Sequence, residues 1–199
     1  MNPLPYIPEP PRQPFLLRAV IILVERFLKR RLLPARLLGW YPRFAVGTGV
    51  MEGLVAHGDR HVPARLLQLL RLHVSYLASC PFCIDMNGNR YADQGISEVE
   101  IEGLRGARPL DAVPSFSPRE RTALRFARAA TATPLHFPDE LIRAMGRDFS
   151  PREYVIIAGT VAQVNYWTRL IQSLGIPPAD FSNRDPVLHL AEFHTGERK

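Results

Sequence analysis

The chain has 199 residues, 46% of them apolar, with a formal net charge of +6 and two cysteines. That length and apolar share suit one sizeable core with or without an extension, and two cysteines exclude a disulfide-stapled secreted scaffold. A reducing, cytoplasmic compartment is expected, with a redox or metal role for the pair. The positive balance is carried by arginine, yet no nucleic-acid motif or aromatic–basic interleaving accompanies it, so it reads as solvated surface and not as a nucleic-acid interface.

In chain order, Pro3, Pro5, Pro8, Pro10, Pro11 and Pro14 make residues 1–14 an extended arm of the kind that lies on a neighbouring subunit. A basic start and a small-residue cleavage site are both missing, so no signal peptide is expected. From Phe15 to Leu38 a dense apolar run is interrupted by Arg18, Glu25, Arg26, Lys29, Arg30 and Arg31, the pattern of an amphipathic helix. Its apolar run Ala19 to Val24 falls short of the roughly 20 residues that span a bilayer. An anionic membrane surface is one place for such a helix; packing on its own domain or across a subunit contact is the preferred reading. Pro42 opens a helix through Val55, in which Gly47-Thr48-Gly49 predicts close helix approach and not a phosphate loop, since neither a preceding strand nor a following Lys-Ser/Thr is present.

His57 and His61 stand four apart and, with the cysteines, would complete a two-His two-Cys zinc set, but Gly58 and Asp59 between them predict a turn, so no metal is expected. Pro63 starts a helix that is apolar nearly all round through Leu77 and is therefore buried; Gln68, His73 and Ser75 on it need partners. His73 reads as a satisfied core or interface histidine before it reads as a catalytic base.

The chemistry concentrates in Ser79-Cys80-Pro81-Phe82-Cys83-Ile84-Asp85-Met86-Asn87. Pro81 suits the first position of a helix, which makes Cys80 its N-cap and puts Cys83 in the first turn. There the unpaired backbone N–H groups and the positive end of the macrodipole favour a thiolate, the reactive species. A spacing of three brings the sulfurs within disulfide reach, so a sulfenic acid on one is resolvable by the other. Asn87 lies on the same face as Cys83 and is placed to donate an amide hydrogen bond toward that sulfur; Asp85 is expected on another face, in solvent. The helix is expected to run to about Asp93.

Beyond Gly95, Ser97 and Glu100 open a short helix as a capping box. Residues 106–114 are a loop. Ser117-Pro118-Arg119-Glu120, Pro138-Asp139-Glu140 and Ser150-Pro151-Arg152-Glu153 open three more helices, the last running to Leu174. Proline-opened helices without a convincing alternating strand predict an all-α chain: an arm over 1–14, a single domain over 15–185 and a polar tail over 186–199. Asn165, Tyr166, Trp167 and Arg169 serve equally as pocket lining or as packing.

The pattern Cys80-x-x-Cys83-x-x-x-Asn87, with Gln68 twelve positions upstream and Gly95-Ile96-Ser97 after the helix, resembles the carboxymuconolactone decarboxylase superfamily, in particular its alkylhydroperoxidase D-like branch. The resemblance covers most of residues 36–182, including Pro138-Asp139-Glu140-Leu141 and Asn165-Tyr166-Trp167-Thr168-Arg169, and leaves out the first thirty residues. It implies an alkylhydroperoxidase D-like helical bundle, with Cys83 as the peroxide-reacting thiol and Cys80 as the resolving one. The family carries glutamate where Gln68 stands and histidine where Asn87 stands, so the proton relay it uses is replaced by two neutral amides of similar shape.

The function this implies is reduction of a peroxide or another electrophile through the cysteine pair, which is its own cofactor, with an external dithiol or its carrier protein as reductant. The resemblance further implies a homo-oligomer: a dimer, trimer or hexamer. Two other classes are a redox-sensing, non-catalytic helical subunit and a lactone decarboxylase, the second disfavoured because proton transfer on a lactone does not require two thiols. The redox reading requires the sulfurs to lie side by side within reach of a small molecule.

Overall fold

A computed structural model describes residues 4–54, 59–183 and 185–189. Ten α-helices are formed among them: α1 (Phe15–Leu28), α2 (Leu33–Leu37), α3 (Pro42–Leu54), α4 (Ala64–Leu77), α5 (Pro81–Gly88), α6 (Glu98–Leu104), α7 (Pro118–Thr131), α8 (Asp139–Asp148), α9 (Pro151–Ser173) and α10 (Pro186–His189). No strand occurs among the described residues, so the all-α expectation holds.

The bundle is built around α4. Its side chains Leu66, Leu67, Leu69, Leu70, Leu72 and Val74 are all buried, as an all-round apolar helix demands, and it packs against α9, α7 and α5. Ala123 and Ala127 of α7 are fully buried beside it, small enough to bring the two helices close. Three helices begin with complete capping boxes, Ser97–Glu100, Ser117–Glu120 and Ser150–Glu153. The same glutamates also bind arginines. Arg65 pairs with Glu100 at 2.5 Å and Glu120 at 2.9 Å, and Arg119 pairs with Glu153 at 2.5 Å, so these helix starts are cross-linked. Helix α8 differs from the expected pattern: Pro138 is itself its N-cap, without a side-chain cap bond.

Three further features bear on the sequence reading. The arm, where described, lies on its own chain: Tyr6 N–H donates to Leu174 O at 3.0 Å, the Trp40 indole donates to Pro8 O at 2.8 Å, and Gln13 donates to Arg36 O at 2.9 Å. Gly175, at φ +63°, accommodates the Tyr6 ring, which a Cβ there would meet at 2.6 Å. The second concerns α5, which stops at Gly88 and not near Asp93. Arg90 takes a left-handed φ of 57°, and residues Tyr91–Gln94 form a separate 3-10 turn. The Asn87-Gly88-Asn89 run is turn chemistry that competes with continuing the helix. Third, Gly47 and Gly49 face open space: a Cβ added at either would meet nothing beyond its own stretch of helix within 4 Å.

Helix α1 presents Leu16, Val20, Leu23 and Phe27 outward, each more than half exposed, while Ile21 is buried against the chain. Among the described residues, no helix is long and apolar enough to cross a membrane.

Candidate active site

Cys80 is the N-cap of α5 and Pro81 its first residue; Cys83 N–H donates to Cys80 Sγ at 3.3 Å. The two sulfurs are joined as a disulfide, with Cα atoms 5.2 Å apart. The three-residue spacing across a proline-opened helix start has produced the geometry that its sequence predicts.

Access is the part that sequence did not reveal. Cys80 is 0% and Cys83 3% exposed. They belong to an apolar cluster with Leu37 of α2, Phe82 of α5, Ile171 of α9, and Ile176 and Phe181 from the segment after α9; Trp167 packs against it. Phe82 and Phe181 meet edge to face at 6.1 Å between centroids. The sulfurs are side by side, as the redox reading requires, but its other requirement, reach by a small molecule, is not met in this conformation, in which both are covered. A surface concavity of about 500 Å³ lies on the N-terminal extension around Arg26, Lys29 and Arg30 and contains neither cysteine. A second of about 210 Å³, between Asn89 and Asp185, lies beyond the far end of α5.

The cover is anchored by Asp85, which is 1% exposed and not in solvent as expected. Its Oδ2 accepts from the N–H groups of Ala179 and Phe181, both at 3.0 Å. Its Oδ1 accepts from Ser182 N–H at 2.9 Å and Ser182 Oγ–H at 2.7 Å. A carboxylate has lone pairs for four donors, and burial here is met by four. The residue two places past Cys83 therefore holds residues 179–182 on α5. No local pattern signals this, because the donors lie nearly a hundred positions downstream.

Gln68 and Asn87 lie together. Gln68 Nε2 donates to the backbone carbonyl of Asn87. Asn87 does not donate to a sulfur, however: its Nδ2 donates to Ser75 Oγ at 3.0 Å, and Ser75 Oγ–H donates to Arg71 O at 2.7 Å. The two amides thus form a hydrogen-bonded wall between α4 and α5 with no group that titrates near neutral pH. His73 is not the replacement base. Fully buried, it bonds through Nδ1 to Leu104 O at 2.8 Å, and burial lowers its pKa to about 4.

Beside this wall stands a charged pair that the sequence did not single out. Arg71 of α4 is buried; burial lowers its pKa, and the Glu52 carboxylate of α3 acts in the opposite direction. Glu52 Oε2 accepts from the Trp167 indole N–H at 2.9 Å and from Gln163 Nε2. The remaining residues of the Asn165–Arg169 group point elsewhere. Asn165 donates to Thr131 Oγ1 and Val161 O at 3.0 Å, Tyr166 OH meets Thr48 Oγ1 at 3.0 Å, and Arg169 contacts Thr133.

Of the histidine pair weighed for zinc, His57 lies outside the described residues, and His61 is exposed, with its backbone N–H bound by Asp59 Oδ1 at 2.8 Å. No cluster of three or more His, Cys, Asp or Glu suited to a metal ion occurs among the described residues.

Residues 45–129, which include Gln68, both cysteines and Asn87, match the profile of the carboxymuconolactone decarboxylase family. The uncharacterized protein YdfG of Bacillus subtilis (strain 168) is 29% identical over 109 residues, covering 54% of this chain and 72% of that protein. Among solved structures, the alkylhydroperoxidase AhpD core of an uncharacterized peroxidase-related protein from Ralstonia eutropha JMP134 superimposes with a TM-score of 0.74 at 16% identity, over 92% of this chain and 96% of that one. The debrominase Bmp8, solved as a cysteine-to-alanine variant with 2,3,4-tribromopyrrole, superimposes with a TM-score of 0.71 at 18% identity, over 85% and 88% of the two chains. At these identities the structural matches speak for the fold.

Proposed function

We propose that this chain, which has an AhpD-like helical bundle, belongs to the carboxymuconolactone decarboxylase superfamily and is a thiol–disulfide oxidoreductase that reduces a peroxide or a similar electrophile. The observation that carries the reading is the Cys80–Cys83 disulfide at the N-terminus of α5.

In the reduced protein the Cys83 thiolate attacks the distal oxygen of ROOH. The O–O bond breaks, Cys83 becomes a sulfenic acid, and the leaving alkoxide takes a proton to give ROH. Cys80 then attacks the Cys83 sulfur, expelling hydroxide, which leaves as water with the proton of the Cys80 thiol. An external dithiol reopens the disulfide by exchange and departs oxidised. Gln68 and Asn87 hold the geometry of α4 against α5 but transfer no proton, so turnover is expected to lack the roughly 10²–10⁴-fold that a positioned acid–base group typically contributes. The cover over the sulfurs lifts in each half of the cycle.

The likeness to debrominase Bmp8 supports a second electrophile class for the same pair. There an aryl bromide and two thiols would give the arene, bromide, a proton and the disulfide. The outward apolar stripe of α1, Leu16, Val20, Leu23 and Phe27, supports a homo-oligomer in which that face is covered by another copy. The test is single-turnover consumption of hydrogen peroxide and cumene hydroperoxide by reduced wild type, C83S and C80S. C83S is expected to consume neither, while C80S consumes one equivalent and stops. Equal consumption by C83S and wild type would overturn the assignment.

A further inference from the structure

We infer that Glu52 is a positioning residue for the cysteine pair: it fixes the Trp167 indole as the aromatic wall that selects bulky electrophiles at the sulfurs. The inference rests on the thiol chemistry proposed above. It adds a residue outside the Cys-x-x-Cys helix and outside the two amide positions.

Glu52 stands near the end of α3, and two groups that donate to its Oε2 come from α9. Trp167 Nε1 is at 2.9 Å, and Gln163, one helical turn earlier, supplies the second donor. Gln163 is 6% exposed, and the Arg71 guanidinium on α4, also 6% exposed, supplies positive charge to this region. A carboxylate is stable in such surroundings because it is both bonded and compensated. An indole has an apolar body and one polar tip. Here the tip is tied to Glu52 while the body packs against the cluster that contains Cys80, Cys83, Phe82 and Ile171.

A second tie makes the placement rigid. Tyr166 meets the Trp167 ring edge to face at 5.5 Å, and its hydroxyl bonds Thr48 Oγ1 at 3.0 Å, so α3 grips α9 at two successive residues. Nothing in the sequence pattern of α3 links it to the sulfurs; it acts on them through Trp167. When the cover lifts, the face of a fixed indole remains as one wall of the opening. An electrophile with an apolar body gains contact area on that wall. Hydrogen peroxide, which has no such body, gains none.

The test compares full-length wild type, E52A, E52Q and W167F in two readouts. The first is the second-order rate constant of the reduced protein with cumene hydroperoxide and with hydrogen peroxide. The second is the change in tryptophan emission on reduction, with the W167F signal subtracted to remove Trp40; a disulfide quenches a neighbouring indole, so emission rises when the pair is reduced. E52A is expected to slow the cumene hydroperoxide reaction at least tenfold, to leave hydrogen peroxide within threefold, and to halve the emission change. The amide oxygen in E52Q still accepts the indole N–H and should restore both readouts. Should E52A fail to fold, W167F decides: its preference for cumene hydroperoxide over hydrogen peroxide is expected to fall at least fivefold. Unchanged selectivity in E52A or W167F overturns the inference, as does an E52Q as impaired as E52A, because the carboxylate's charge or proton would then be what matters. If wild type consumes no hydroperoxide but its emission change still depends on Glu52, the positioning stands and the peroxidase reading is what fails.

Discussion

Replacing Asp85 by Asn tests whether the cover over the sulfurs controls access to them. The carboxylate accepts four hydrogen bonds from residues 179, 181 and 182 at 2.7–3.0 Å. The amide keeps one accepting oxygen and turns a donor toward the other two N–H groups. Two bonds to a charged acceptor are lost, at about 1.5–3 kcal/mol each. A segment that lets go regains water and about 1–2 kcal/mol of backbone freedom per residue, which limits the loss to the free energy of docking. A net change of about 2–4 kcal/mol is expected. At a factor of ten per 1.4 kcal/mol, the undocked population rises on the order of 30- to 1000-fold. The assay is the pseudo-first-order reduction of the Cys80–Cys83 disulfide by excess dithiothreitol, with urea unfolding to show that the variant remains folded. If opening precedes reduction, D85N should be reduced faster by that factor. A folded D85N reduced at the wild-type rate would refute the reasoning, because the reductant would then be reaching the sulfurs by a route that residues 179–182 do not cover.

Other outcomes follow from single positions. Burial keeps His73 neutral in the fold with a pKa of about 4 against an ordinary 6.5, so between those values the unfolded chain binds the extra proton. Its share of stability is therefore complete above pH 6.5 and is lost as pH falls toward 4, by up to about 3 kcal/mol; urea unfolding from about pH 7.5 to 4 should show this slope, and H73N should flatten it. Asn87→His, which puts a titrating ring beside Gln68, is expected to raise hydroperoxide turnover by about tenfold or more in a steady-state assay. At Gly88 an added Cβ would lie 2.5 Å from Leu188 Cδ1, so G88A should cost about 1–3 kcal/mol in urea unfolding by pushing α10 from α5. Light scattering on the full chain is expected to give an oligomer, and L23E with F27E a smaller species.

The helices were legible because their start signals are local. Ser97, Ser117 and Ser150 each sit three residues before the glutamate that completes the box, and no tertiary information is needed to see it. The burial of α4 was legible for the same reason, since an apolar run without a polar face has nowhere else to go. The cysteine geometry followed from Pro81 and a spacing of three. What stayed hidden depends on distant partners. Asp85 looks solvent-facing until residues 179–182 fold over it, and Glu52 is a lone acidic residue on α3 without evident purpose until Gln163 and Trp167 arrive from α9. The arm's contacts stayed hidden for a related reason: proline content fixes an extended shape but says nothing about which surface Tyr6 will meet.

The most direct test of the redox assignment is to trap the intermediate. Reduced C80S is treated with one equivalent of cumene hydroperoxide and then with dimedone, and the modified residue is located by mass spectrometry. The account predicts a dimedone adduct on Cys83, and in wild type a Cys80–Cys83 disulfide with no adduct. Absence of the adduct in C80S while C83S carries one on Cys80, or no oxidation of either cysteine, would contradict it.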